Sequence, residues 1–164
     1  MLLRRATAAD APRIGQLFYD TITQVNCADY TAAQVAAWRG GWQNLPGWEA
    51  KIGSQHFLVA EDDATRPLSG FASLAADGYL DFLFVNTRHQ RRGIAGQLLL
   101  ALLDHATHLG LASLYTDASV TARPFFNHYG FTVEREQQMV VRGVELPNYR
   151  MVRSVPLSPA SSSK

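Results

Sequence analysis

"RHQRRGIAGQLLLALL", residues 88–103, is the stretch whose reading decides the rest of the chain. Arg88, His89, Arg91 and Arg92 stand beside Gly93, Ala95 and Gly96, and a leucine run follows. Just upstream, "GYLDFLFV" (78–85) has the apolar and aromatic make-up of a strand. Downstream, "IAGQLLLALLDHATHLG" (94–110) has helical spacing and ends at Gly110, where a left-handed cap is expected. Strand, short turn and helix start, in that order, make an anion site. The first helical N–H groups have no partner in their own helix, and the helix dipole adds partial positive charge. Small residues at 93, 95 and 96 let a phosphate reach the backbone, and Arg88, Arg91 and Arg92 add charge around it.

Reading outward, "MLLRRAT" (1–7) predicts an edge strand, and "AADAPRIGQLFYDTITQV" (8–25) a helix with Ile14, Leu17, Phe18 and Ile22 on one face. Thr7 or Asp10, ahead of Pro12, starts it. "YTAAQVAAWRG" (30–40) predicts a second helix, capped by Thr31 and ended near Gly40. "GWQNLPGWEAKIGSQ" (41–55) has the look of a loop. "HFLVAED", "LSGFASLA" and "GYLDFLFV" form an antiparallel meander. After the leucine helix come a strand "LASLYTD", a short helix "TARPFFNHYG", and a hairpin turning at Arg142-Gly143. The expected class is α+β: a mixed, mostly antiparallel twisted sheet flanked by helices in three layers.

The 164 residues fit one domain over 1–155, with a serine- and proline-rich tail at 156–164. Fifteen Lys+Arg against fourteen Asp+Glu leave a net charge of +1, which argues against a general nucleic-acid binder. Cys27 is the only cysteine, so no internal disulfide forms and a reducing, cytoplasmic setting is expected. The amino terminus lacks the apolar core of a secretion signal, and "LLLALL" is too short to span a bilayer. His105 and His108 share a helix without a third ligand at metal spacing, so no metal is expected.

Neither G-x-x-x-x-G-K-[ST] nor G-x-G-x-x-G with a following acidic residue occurs, which sets aside mononucleotide kinases and Rossmann dehydrogenases. "VNTRHQRRGIAGQLL" instead resembles the Q/R-x-x-G-x-G/A motif of the GNAT acetyltransferases, with Gln90, Gly93 and Ala95 at its fixed positions. "ASVTARPFFNHYGF" is similar to that family's N-x-x-A-x-x-x-Y-x-x-x-G-F segment through Ala122, Gly130 and Phe131. "LRRATAADAPRIGQLF" resembles its opening strand and helix, so the likeness runs to about residue 155. The resemblance implies acetyl coenzyme A as cosubstrate. Its pyrophosphate would meet Gln90, Arg91, Arg92, Gly93, Ile94, Ala95 and Gly96, and its pantetheine arm the backbone of Leu83 and Val85.

Two positions depart from the family pattern. The tyrosine that protonates the departing thiolate is Phe126 here, and the asparagine is Ser119, still able to contact the coenzyme arm. A thiol of pKa about 8.5 leaves with little help. Tyr129, three residues on, is the candidate acid, with core packing as the competing reading. An alkylammonium acceptor must lose a proton, and Asp81, a carboxylate inside an apolar strand, is the candidate base; a wetter strand face explains it equally. Glu61, Asp62 and His128 are weaker candidates. The acceptor pocket is expected between the first two helices and the final hairpin, with Tyr30 lining it beside Trp38 and Trp42.

Three hypotheses stand in order: an N-acetyltransferase acting on a primary amine by direct attack in a ternary complex; a catalytically silent acyl-CoA-binding or partner-binding module; and a nucleic-acid binder. Pairing of edges through the final hairpin would give a homodimer.

Overall fold

The computed structural model describes residues 1–89 and 92–156. Its strands are β1 (Leu2–Arg5), β2 (His56–Glu61), β3 (Gly70–Leu74), β4 (Tyr79–Val85), β5 (Ser113–Ser119), β6 (Thr132–Val141) and β7 (Val144–Ser154). They form one sheet in the order β1-β2-β3-β4-β5-β7-β6. All neighbours are antiparallel except β4 and β5, which are parallel. The helices are α1 (Ala11–Gln24), α2 (Ala32–Arg39), α3 (Leu45–Ser54), α4 (Ile94–His108) and α5 (Arg123–His128).

A buried cluster lies on each face of the sheet. On one, Leu98, Leu99 and Leu102 of α4, all 0 % exposed, pack on Leu58, Ala72 and Leu114. Burying each leucine contributes about 1.5–3 kcal/mol. On the other, Ile14, Leu17, Phe18 and Ile22 of α1 pack with Trp48 of α3 and Phe57 and Phe71 of the sheet. The three-layer α+β arrangement expected from the sequence is the one observed.

The segment 41–55, expected as loop, contains α3. Asn44 caps it, its side chain accepting from Gly47 N–H, and Pro46 sits in the first turn. Trp48 and Ile52, four apart, are its buried positions. The glycines at 47 and 53 lower intrinsic propensity and hid this pattern; tertiary packing overrides them. Thr31 caps α2 in a capping box with Gln34. Gly40 ends α2 in a right-handed conformation (φ −61°), so it is no left-handed cap. Its small size admits the Arg142 side chain, which reaches from the β6–β7 turn and donates to Ala37 O at 2.9 Å. Gly110 does adopt φ +70° after α4, as expected.

Two contacts set the ends of the structure. Arg4 of β1 forks onto Asp10 (Nη1–Oδ2 and Nη2–Oδ1, both 2.8 Å) and gives Nε to Glu61 Oε1 at 2.7 Å. Arg13 of α1 takes the other Glu61 oxygen at 2.9 Å. Glu61 is therefore part of a frame joining β1, α1 and β2, and not a solvated turn residue. At the other end, the Tyr129 hydroxyl after α5 occupies the place where Gly96 of α4 would carry a Cβ. Gly96 is buried. Its smallness serves this helix–helix contact, while its main-chain N–H stays in the first turn of α4.

Hydrogen bonds from Arg4 hold the Asp10 and Glu61 carboxyls below the usual carboxylate range. Their contribution is present above about pH 4 and is lost as pH falls through the depressed values, because the unfolded chain takes up those protons first. The melting temperature is expected to hold from neutral pH to about pH 5 and to fall below about pH 4. In Arg4→Met it is lower at pH 7 and the acid decline is shallower, as calorimetric scans across pH will show. Gly96→Ala crowds Tyr129 and costs about 1–3 kcal/mol, or several degrees of melting temperature. Adding Tyr129→Phe to the same chain restores most of that loss.

Candidate functional site

The centre of the sheet opens where β4 meets β5. Only two register pairs join these parallel strands, Tyr79↔Tyr115 and Leu80↔Thr116. At the second pair the Thr116 hydroxyl donates to the Leu80 carbonyl at 2.9 Å, and the ladder goes no further. At the next residue β4 bulges against β3: the register passes from Leu74↔Leu80 to Ser73↔Phe82 and skips Asp81. Past the bulge, Asn86 donates its N–H to Ser69 O at 2.8 Å. Ladder alternation therefore turns the main chain of Leu83 and Val85 away from β3, toward the gap. The Val85 carbonyl receives the Thr21 hydroxyl of α1 at 3.4 Å.

The gap continues into a cleft of about 390 Å³. It brings together Tyr30, Asp81, Leu83, Val85, Ala95, Ser119 and Phe126 from the sequence-based candidates. Gln90 and Arg91 lie outside the described residues. Gly93 is exposed with φ +76°, and nothing stands within 4 Å of where its Cβ would be. Among the described residues no side chain caps the helix start there. The first amides of α4 thus face an open approach, with exposed Arg88 and Arg92 on either side of the turn. Splayed strands, free space at Gly93 and cleft together fit a long, phosphate-bearing coenzyme.

Individual candidates differ in what they touch. Asp81 Oδ2 accepts from Lys51 Nζ (2.7 Å) and Gln55 Nε2 (2.8 Å), while Oδ1 carries neither bond. Ser119 Oγ accepts from Ala122 N–H at 3.0 Å and shapes the turn into α5. Phe126 is 4 % exposed and packs edge-on against Phe131, so the position has become a core residue that also walls the cleft. Tyr30 also forms part of the wall; its hydroxyl donates to Pro147 O (2.7 Å) and accepts from Val120 N–H (2.9 Å). Burial pushes its pKa up, so it stays a donor. Tyr129 does not line the cleft among the described residues, because its hydroxyl is spent against Gly96. His105 stacks on His56 at 3.6 Å, far along α4 from the cleft.

No local pattern points to Asp117, Arg150 and Tyr79. Asp117 accepts from Arg150 Nε (2.7 Å), Gln137 Nε2 (2.6 Å) and the Tyr79 hydroxyl (3.0 Å). Burial opposes its charge, but these three donors outweigh burial and hold its carboxyl below the usual range. Burial and the Asp117 charge raise Tyr79 well above an ordinary tyrosine. Asp117 ends "LASLYTD", and only the pairing of β5 with β7 brings Arg150 opposite it.

The acetyltransferase (GNAT) domain model matches residues 26–153. The chain is 31 % identical over 149 residues to the uncharacterized N-acetyltransferase YafP of Escherichia coli (strain K12), covering 91 % of this chain and 93 % of that one. Among solved structures, a GCN5-related N-acetyltransferase from Rhodopseudomonas palustris superposes with a TM-score of 0.88 at 28 % identity, covering 93 % and 94 % of the two chains. The PaiA N-acetyltransferase of Thermoplasma acidophilum, solved with coenzyme A, gives 0.74 at 18 % identity, covering 93 % and 98 %. YncA of Salmonella typhimurium, solved with acetyl-CoA, gives 0.67 at 20 %, covering 100 % and 99 %. The latter two likenesses concern the fold. With its split central strands, open helix start and these relatives, the chain belongs to the GNAT acetyltransferase family.

Proposed function

We propose that this acyltransferase moves the acetyl group of acetyl-CoA to a primary amine by direct attack, with both substrates in the cleft at once. The observation that carries this reading is the parting of β4 from β5 after Leu80↔Thr116, directly beside the open start of α4. An extended arm lying against Leu83 gains the main-chain bonding that a strand neighbour would supply. The diphosphate meets the amides of Gly93, Ile94, Ala95 and Gly96, with Arg92 alongside. Acetyl-CoA supplies an activated acyl carbon and a thiolate leaving group.

The remaining chemistry falls to the chain itself. The amine nitrogen bonds the acetyl carbon, the C–S bond breaks, and the nitrogen gives up its proton. Asp81 receives it: Lys51 and Gln55 fix the carboxylate through Oδ2, and Oδ1 remains for the amine or an intervening water. The thiolate needs no strong acid, so Phe126 in place of a hydroxyl donor is compatible with turnover. Tyr30, Phe126 and Ser119 shape the cavity through ring surface and turn geometry. Water is then kept from the reacting atoms by the aromatic wall.

Calorimetry is expected to show saturable acetyl-CoA binding. Gly93→Val, strained at positive φ, weakens it by roughly tenfold and lowers the melting temperature by a few degrees. Asp81→Asn leaves that affinity unchanged and lowers amine-dependent thiol release by on the order of 10². Absence of acetyl-CoA binding by the unaltered protein overturns the reading.

A further inference from the structure

The chain between α1 and α2 crosses the mouth of the open sheet. On the β4 side, Thr21 in the last turn of α1 donates its hydroxyl to Val85 O at 3.4 Å, and Gln24 Oε1 accepts from the Thr87 hydroxyl at 3.0 Å. On the β5 side, Asp29 Oδ2 accepts from the Thr121 hydroxyl at 2.7 Å. The Tyr30 hydroxyl accepts from Val120 N–H there and donates to Pro147 O of β7. Because β4 and β5 run parallel, Val85 and Ser119 are their neighbouring carboxyl ends. Residues 25–29 therefore span the gap that those two ends leave.

Asn26 lies within this span. It is 6 % exposed and lines the cleft. Its main-chain carbonyl accepts from Asp29 N–H at 3.0 Å, but its side-chain amide has no hydrogen-bond partner among the described residues. Asn148 Oδ1 is also unpaired, but it is sealed inside the wall; neither polar atom of Asn26 is sealed in that way. In a residue set so deep, the access that remains is to the cleft it lines. A buried amide with both ends unpaired is costly, so a group that pairs with it is expected in the cleft.

The coenzyme arm has the matching chemistry. Pantetheine carries two secondary amides, and in a planar trans amide the N–H and C=O point opposite ways. An arm laid along β4 turns one of these groups toward the Leu83 main chain and the other away from it. In a continuous sheet the next strand would receive the outward group. Here β5 has parted after Leu80↔Thr116 and stays paired with β7 as far as Ser119↔Asn148, so no ladder forms on that side. A carboxamide offers two donors and one acceptor oxygen, so it can take either an outward C=O or an outward N–H.

We propose that Asn26 is a binding residue for the coenzyme arm, its carboxamide hydrogen-bonding the arm amide that faces away from β4. Held on both edges, the arm presents its thioester end with less freedom than pairing along β4 alone allows. The role deepens the acetyl-transfer reading and rests on it for the identity of the ligand.

Calorimetry on Asn26→Ala and Asn26→Leu tests this with two ligands: acetyl-CoA, and adenosine 3′-phosphate 5′-diphosphate, which keeps the nucleotide and diphosphate but lacks the arm. Both variants are expected to bind acetyl-CoA roughly tenfold more weakly, as the loss of one such hydrogen bond does. Their affinity for the armless nucleotide matches the parent's. Leucine fills the space of asparagine without its polar end, so the melting temperature of Asn26→Leu is unchanged or higher. A purely structural asparagine would instead lower it and weaken both ligands together. That result overturns the proposal, as does unchanged acetyl-CoA affinity in both variants, with or without a raised KM for the amine. If the parent protein itself fails to bind acetyl-CoA, the acetyl-transfer reading falls as well. If the parent binds it and the variants bind it as tightly, only the role of Asn26 falls.

Discussion

The structure turns on a failure of two strands to stay together. β4 and β5 run parallel for two register pairs, and at the second the Thr116 hydroxyl donates to the Leu80 carbonyl. A side chain thus adds a bond to the buried main chain at the point where the ladder stops. The bulge that skips Asp81 adds local twist to β4 and steers it away. All the site geometry follows from this parting. The main chain of Leu83 turns into the gap, α4 begins beside it, and the aromatic face of α1 and the β6–β7 hairpin closes over it.

A split sheet must be held from outside. On one face α4 lays its leucines across β2, β3 and β4, and Gly96 lets α5 approach through Tyr129. On the other, α1 packs its apolar stripe on Phe57 and Phe71 while Lys51 and Gln55, on α3 and just beyond it, reach the bulge at Asp81. The hairpin is tied down at its tip by Arg142 on Ala37 O and nearer the cleft by Tyr30 on Pro147 O. These ties place polar contacts at the rim and leave the cleft walls mostly apolar. Tyr30, Phe126 and Ser119 thus serve structure through their bonds and rings and also bound the cleft.

Local signals in the sequence were read well where one element decides them. The capping box at Thr31, the glycine after α4 and the two-residue turn at Arg142-Gly143, with φ +48° and +77°, depend on neighbours a few positions away. The helix over 45–54 was hidden because its two internal glycines weaken propensity, although Asn44, Pro46 and the Trp48/Ile52 spacing mark it. Tyr129 was read as a candidate acid from proximity along the helix, but its direction is fixed by α4, which no local pattern reports.

What the sequence determined alone was the order of the strands and the strand–turn–helix unit at 78–110, because backbone chemistry at Gly93 and the leucine period act over one or two turns. The charge balance of the cleft was decided only by tertiary structure. Asp117 meets Arg150 through pairing of β5 with β7, and Asp81 meets Lys51 across thirty positions. Such contacts join residues far apart in the chain. Register and layer packing set them, and the period of any single segment says nothing about which distant side chain will stand opposite.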